Sequence, residues 1–303
     1  MKPINITYCS CEKYLKGKKW RPYKNLKQLI ADRIRAQLPG IKPNSKDLED
    51  LELDFKGFEL PEEPGQRTEN EVIARYKNEE NVAVVVVKLS KCDKCSRQGT
   101  DYFEAVLQVR SSDTKILEKG VELLIQKVGA LKHKGVFINK VKRTKRGFNL
   151  FITDKKHALR LGQWLYEELG GVFKTSPKLY SKDRQTSKKV YRLNILVRLP
   201  GFEKGDIILL SNNKVCAVRG LGRKITLEEL DSEKILKKYY STLNYHVLAR
   251  HKTYVSRIRP GLEVINPLDY QSVPVKNKTG KDQDLKPGDE VSVVVHKGAY
   301  LVG

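Results

Sequence analysis

Two pairs of cysteines far apart in the chain, Cys9-Ser10-Cys11 and Cys92-Asp93-Lys94-Cys95, constrain this fold more than any other feature. A two-residue gap lets one short turn aim both sulfurs at the same tetrahedral metal, so Cys92 and Cys95 read as half of a zinc site. The remaining half has to come from Cys9 and Cys11, where a one-residue gap in an extended strand needs a turn to converge the sulfurs. Four thiolates would close the coordination sphere, giving one structural zinc and no open position for a substrate. A metal-free remnant held by packing is the alternative.

At 303 residues the chain exceeds one small core, and about two or three domains are expected. No apolar run approaches the roughly 18 residues that cross a bilayer; the longest is 82–87. The start shows no signal-peptide pattern. A cytoplasmic protein without a membrane partner is expected. Cys216 stands alone in an apolar run, and five cysteines at this length suit a reducing compartment and a metal better than a disulfide framework.

The net charge of +23 is uneven: residues 131–198 hold 18 Lys and Arg against 4 Asp and Glu, which is +14 of it. A uniformly lysine-rich, heat-adapted proteome would raise every segment alike. Focused positive charge points to a polyanion, because clustered Lys and Arg release condensed counterions on meeting phosphates.

The spacing of Leu26, Leu29, Ile30, Ile34 and Leu38 predicts an amphipathic helix over 22–38 that stops at Pro39-Gly40. Residues 43–70 then turn acidic, with Asp47, Glu49, Asp50 and Glu52 among them. Strands are expected at 81–90 and 102–110, forming an antiparallel unit whose tip is the Cys92/Cys95 turn. Ser112 or Asp113 caps a further helix. Next come strands at 136–138 and 148–152 around the basic loop 142–147, an Asp154-capped helix ending at Gly170-Gly171, and strands at 172–179 and 190–197. The expected architecture is multidomain α+β, with a zinc-knuckle domain (1–130), a compact ββαββ domain (131–198) and, beyond Pro200-Gly201, short strands of a small β-barrel or two (199–303). Two turns there, 203–207 and 285–291, resemble one another.

Lys142, Arg143, Lys145 and Arg146 form the basic hairpin tip, read as lying near the helix start with Lys155 and Lys156; the opposite loop offers Lys178, Lys182, Arg184, Lys188 and Lys189. Guanidinium groups bond phosphate oxygens in pairs, and RNA helices are recognised by shape and backbone, so these residues are the candidate RNA contacts. For any single lysine, a solvated face is the plainer reading. Catalysis finds no support: the five histidines form no HExxH, no serine sits in a GxSxG elbow, and Gly220-Leu221-Gly222 lacks the lysine of a phosphate loop.

Cys92-Asp93-Lys94-Cys95-Ser96-Arg97, Tyr102-Phe103-Glu104-Ala105, Lys145-Arg146-Gly147-Phe148-Asn149-Leu150-Phe151, Thr175-Ser176-Pro177-Lys178-Leu179 and Tyr191-Arg192-Leu193 together resemble the large-ribosomal-subunit export adaptor family (nonsense-mediated mRNA decay protein three), in its shorter archaeal form. The resemblance implies a zinc-binding N-terminal domain, a central domain similar to a ribosomal protein, and a C-terminal SH3-like then OB-like pair of barrels similar to translation factor five A. It further implies a monomeric, non-enzymatic factor on the joining face of the large subunit near the transfer-RNA sites, acting in assembly or translation. Its partners would be ribosomal RNA, ribosomal proteins and an anti-association factor. Family members usually open with more C-x-x-C pairs and, in eukaryotes, end in a tail with export and import signals. Here C-S-C stands where C-x-x-C is expected and the sequence stops at Gly303, so one zinc site and no nuclear export are expected. A ribosome-independent RNA or tRNA binder and an RNA-modifying enzyme are the alternatives.

Overall fold

β-branched and alternating stretches decide the architecture, which is mostly strand with three α-helices among the described residues. The structure, a computed structural model, describes residues 2–37, 52–76, 79–182, 184–277 and 285–302. The chain forms two compact units, residues 1–102 with 128–139 and residues 103–127 with 140–303.

The first unit is built on a six-stranded sheet of β1 (Ile4–Cys9), β2 (Lys13–Lys16), β3 (Lys19–Pro22), β4 (Glu52–Asp54), β5 (Arg67–Tyr76) and β6 (Glu79–Leu89), ordered β3-β2-β1-β6-β5-β4. Helix α1 (Leu26–Arg35) is shorter than the periodicity suggests because Asn25 caps it, accepting from the Lys27 amide at 2.9 Å. Ile30 and Ile34 of α1 join Ile4, Ile6, Val72, Val85 and Val87 in the core. The stop expected at Pro39-Gly40 and the acidic Asp47, Glu49 and Asp50 lie outside the described residues.

The second unit opens with β7 (Ala105–Arg110) and α2 (Thr114–Gly129), capped by Asp113, whose side chain accepts from the Ile116 amide. It continues with β8 (Ile138–Thr144), β9 (Gly147–Ile152), α3 (Lys155–Leu169), β10 (Val172–Lys182) and β11 (Lys189–Arg198), giving a sheet ordered β10-β11-β7-β9-β8. This corrects the pairing read from the sequence, in which 102–110 returns against 81–90. β7 instead runs parallel to β11 and antiparallel to β9, while both edges of β6 are taken by β1 and β5. Ala105, Leu107 and Val109 are fully buried, as suits a central strand covered on one face. The ββαββ run is present, and β7 completes it as the middle strand.

α2 and α3 cover the same face. Gly120 of α2 sits against Val109, and Gly162 of α3 against Leu107 and Ile195. Burying Leu107, Leu150, Ile152 and Ile195 completely contributes about 1.5–3 kcal/mol each.

Two antiparallel sheets follow in the same unit. One holds β12 (Ile207–Leu210), β13 (Val215–Gly220), β14 (Ile225–Glu229), β15 (Ile235–Lys238) and β16 (Tyr245–Val247); the other holds β17 (His251–Arg257), β18 (Glu263–Ile265), β19 (Ser272–Pro274), β20 (Glu290–Val295) and β21 (Ala299–Leu301). The two similar turns are built alike. Asp206 accepts from the Glu203 amide and Asp289 from the Lys286 amide, both at 2.8 Å, with Gly205 and Gly288 at φ 99° and 93°. Each leads straight into a strand.

Candidate metal centre and nucleic-acid interface

β1 and β6 run parallel, with Tyr8 opposite Leu89, so both end at the same edge of the first sheet. The Ser90 amide extends the ladder to the Tyr8 carbonyl at 2.8 Å. Parallel pairing is therefore what brings two distant cysteine pairs together. After β1, Ser10, Cys11 and Glu12 form a three-residue hairpin loop, with Glu12 at φ 59° and its amide bonded to the Cys9 carbonyl. A residue in left-handed backbone is the usual close of such a loop, and it supplies the turn that C-x-C needs. After β6, the Ser96 amide bonds to the Cys92 carbonyl and a short 3-10 turn spans Cys95–Arg97.

All four sulfurs lie within 4.8 Å of one another and all four residues are buried. Cys11 Sγ stands 3.5 Å from Cys9 Sγ and 3.4 Å from Cys92 Sγ. A tetrahedral metal with bonds of about 2.3 Å requires sulfur separations of roughly 3.8 Å, so the arrangement fits a four-thiolate ion. The Cys92 amide donates to Cys9 Sγ at 3.4 Å, and Phe137 and Trp20 pack over the cluster. Burial pushes the Cys11 thiol up to about 12, helped by its contact with Cys92, and raises Cys95 for the same reason. At Cys92 burial acts in the same direction, but the backbone at Cys95 and Lys94 and the Cys11 side chain outweigh it and hold the thiol below its ordinary value. Buried thiolates need a balancing cation. A bound metal would supply it, held by Cys9, Cys11, Cys92 and Cys95.

The basic candidates are all exposed. Lys142 and Arg143 belong to strand β8 rather than to a loop, and Lys145 and Arg146 form the tight turn into β9. Gly147 closes that turn at φ 140°, and a Cβ there would meet the Val109 carbonyl oxygen at 2.1 Å. Lys178 and Lys182 lie in β10, Arg184 and Lys188 in the turn, and Lys189 at the start of β11.

One placement from the sequence is overturned. The 142–146 tip does not lie beside the α3 start that carries Lys155 and Lys156, because β9 runs between them, with Gly147 opposite Arg110 and Ile152 opposite Ala105. Six residues of strand span roughly 20 Å. Lys155 and Lys156 instead share the Ala105 end of the sheet with the β10–β11 hairpin, which pairs with β7 only from Leu193 onwards.

The face turned away from the helices joins the two ends. Its cross-strand rows are Val106 with Phe151 and Asn194, Gln108 with Asn149 and Leu196, and Arg110 with Arg198; on β10, Lys174 and Lys178 sit opposite Leu196 and Arg192. A cavity of about 690 Å³ at one end is lined by Arg110, Arg198, Lys145, Arg146, Gln108 and Tyr240, among others, and no carboxylate lines it. Burial lowers the Arg110 pKa, and its guanidinium donates to the Phe148 carbonyl at 2.7 Å and to Asn149 Oδ1 at 2.6 Å. Among the described residues the ion pairs of Lys and Arg with carboxylates lie elsewhere, at Lys119–Glu203, Lys214–Glu229 and Arg223–Glu167 for example. None involves the basic candidates.

Residues 102–199, which hold this sheet, match the family model described as NMD3, second domain. The likeness to the NMD3 family thus lies in this one segment, about a third of the chain. The chain is 28% identical over 127 residues to the 60S ribosomal export protein nmd3 of Schizosaccharomyces pombe, and 29% identical over 129 residues to the proteins called 60S ribosomal export protein NMD3 in Xenopus tropicalis and Xenopus laevis. These matches cover 41% or 42% of this chain and 24% or 25% of the relatives. The chain thus spans about a quarter of the curated relatives it matches. No described helix is long and apolar enough to cross a membrane.

Within the NMD3-type domain, sequence reasoning missed Arg110, Arg192, Arg198 and Lys174. They sit singly among apolar residues in alternating strands, so they form no charge run. The signal was the alternation itself, whose even-numbered positions hold Gln108 and Arg110 on β7 and Arg192, Asn194 and Arg198 on β11, interrupted by Val106, Val190 and Leu196.

Proposed function

We propose that this chain is a large-ribosomal-subunit-binding factor that acts in assembly or translation and contacts ribosomal RNA through the NMD3-type domain. The observation that carries the reading is a sheet face and hairpin tips rich in cations without carboxylate partners, inside the segment matched by the NMD3 second domain. The names of the relatives support the ribosomal partner. The four cysteines hold a structural zinc that locks the β1–β2 loop to the turn after β6; the donor set and spacing support this. The two C-terminal sheets serve as small barrels, SH3-like then OB-like, reaching the tRNA-site region; the repeated Gly-Asp turn supports a repeated module. A domain boundary near 199 and a cytoplasmic location belong to the same reading, while the boundary expected at 130 moves to about residue 102, because β7 and α2 pack with β8–β11.

Co-sedimentation with purified large subunits tests it. The wild-type chain should pellet with the subunit and be released as salt rises, because bound cations displace condensed counterions. Lys145→Glu with Arg146→Glu should weaken binding at least tenfold and flatten the salt dependence; an unchanged pellet would remove the hairpin tip from the interface.

A further inference from the structure

Arg192 lies between two aromatic rings, its guanidinium centre 3.7 Å from the Phe103 centroid and 3.4 Å from that of Tyr180. The pairing register shifts between Leu179 and Ser181, so Tyr180 is the extra residue of a β-bulge. Bulges re-aim side chains, and this one accompanies the stacking of Tyr180 on Arg192. Phe103 is braced from behind by Phe151, edge-on at 4.9 Å. The result is a three-layer stack that ends in a ring 57% exposed. The stack stands at the hairpin end of the open face, and the rows running from it to the cavity hold Asn194, Gln108, Asn149, Arg110 and Arg198.

We propose that this open face binds an unpaired RNA segment, with one base stacked on the outer side of Tyr180 and the following phosphates lying along the rows towards Arg110 and Arg198. The proposal rests on the ribosomal reading above and names the form of RNA recognised. An exposed ring backed by a cation is a base platform, and every base offers it a π-face. A duplex has its bases stacked internally and offers none. Asn149, Gln108 and Asn194 are amides able to meet base edges, which a purely backbone-binding surface does not need. The positive charge of the face selects a polyanion over an apolar protein segment. Glu104, which flanks β7, turns its carboxylate to the Lys155 amide at 3.2 Å.

The test uses the full chain and two RNA probes, a single strand of about a dozen nucleotides carrying one 2-aminopurine and its duplex with the complementary strand. Wild type should prefer the single strand and quench the 2-aminopurine. Tyr180→Ala should lose roughly tenfold or more in single-strand affinity together with the quenching, and Tyr180→Phe should keep both. Equal single-strand binding by Tyr180→Ala, preference for the duplex, or no binding of either probe overturns the proposal, the last even if Tyr180→Ala also loses the large subunit, since that outcome marks a protein-docking surface. Subunit co-sedimentation run alongside separates the two claims. A wild-type chain that pellets with the subunit but shows no stacking overturns this inference alone; one that does not pellet overturns the reading beneath it.

Discussion

Cys11 and Cys95 show how burial sets the chemistry of single residues here. Both thiols are raised, Cys11 to about 12, while thiols of an unfolded chain ionise near 8.5. Above that pH the unfolded state releases protons before the folded one does. In metal-free protein the stability contributed by these thiols is therefore complete below about pH 8.5 and is lost as pH rises towards the folded values. The depressed Cys92 offsets part of the effect. With metal bound the dependence reverses, because protons compete with the ion for thiolate as pH falls. Denaturant midpoints measured at neutral and alkaline pH should drop with pH for chelated protein and hold for the loaded form; a rise in the chelated form would contradict the burial argument. Cys216 is raised to about 11 by burial in β13 and takes no part.

At the scale of elements, short-range chemistry explains most ends and turns. Asp154 caps α3 as the sequence suggests, accepting from the His157 amide at 2.9 Å and contacting the His157 ring at 3.0 Å. Asp154→Ala should cost about 1 kcal/mol by urea unfolding; a cost near zero would mean the first turn of α3 does not depend on its cap. Gly170 and Gly171, at φ 73° and 108°, end the same helix where the sequence placed the stop. The hairpins are less legible. Strand extends to Lys182 on β10 and begins at Lys189 on β11, well into the stretch that polarity alone suggests is loop. Cross-strand hydrogen bonds hold that arm although its residues are exposed. Strands β2, β3, β14, β15, β16 and β21 were not read at all: they are short, and four of them mix charge with apolar residues so that no period dominates.

In the whole molecule, the first unit draws on the cysteines and the second holds the basic sheet. Chelation should therefore act locally. Hydrogen exchange after metal removal should show lost protection at the ends of β1 and β6 near Cys9 and Leu89, with β7 and β11 unchanged; protection lost equally in both would show that the metal supports more than its own sheet. The cysteine pairing, the concentration of charge in 131–198, the caps and the Gly-Asp turns were legible in the sequence because each depends on residues close in the chain or on counts that no fold alters. The middle position of β7, the distance between the 142–146 tip and Lys155, and the open face joining Arg110 to Arg192 were not. Alternation says that a strand has two faces, but it names neither the partner strand nor the register. Those are settled by competition among distant edges for hydrogen bonds and by which face the helices cover. Sequence alone determined that this chain would gather four sulfurs and a large positive charge; tertiary structure decided where the charge faces.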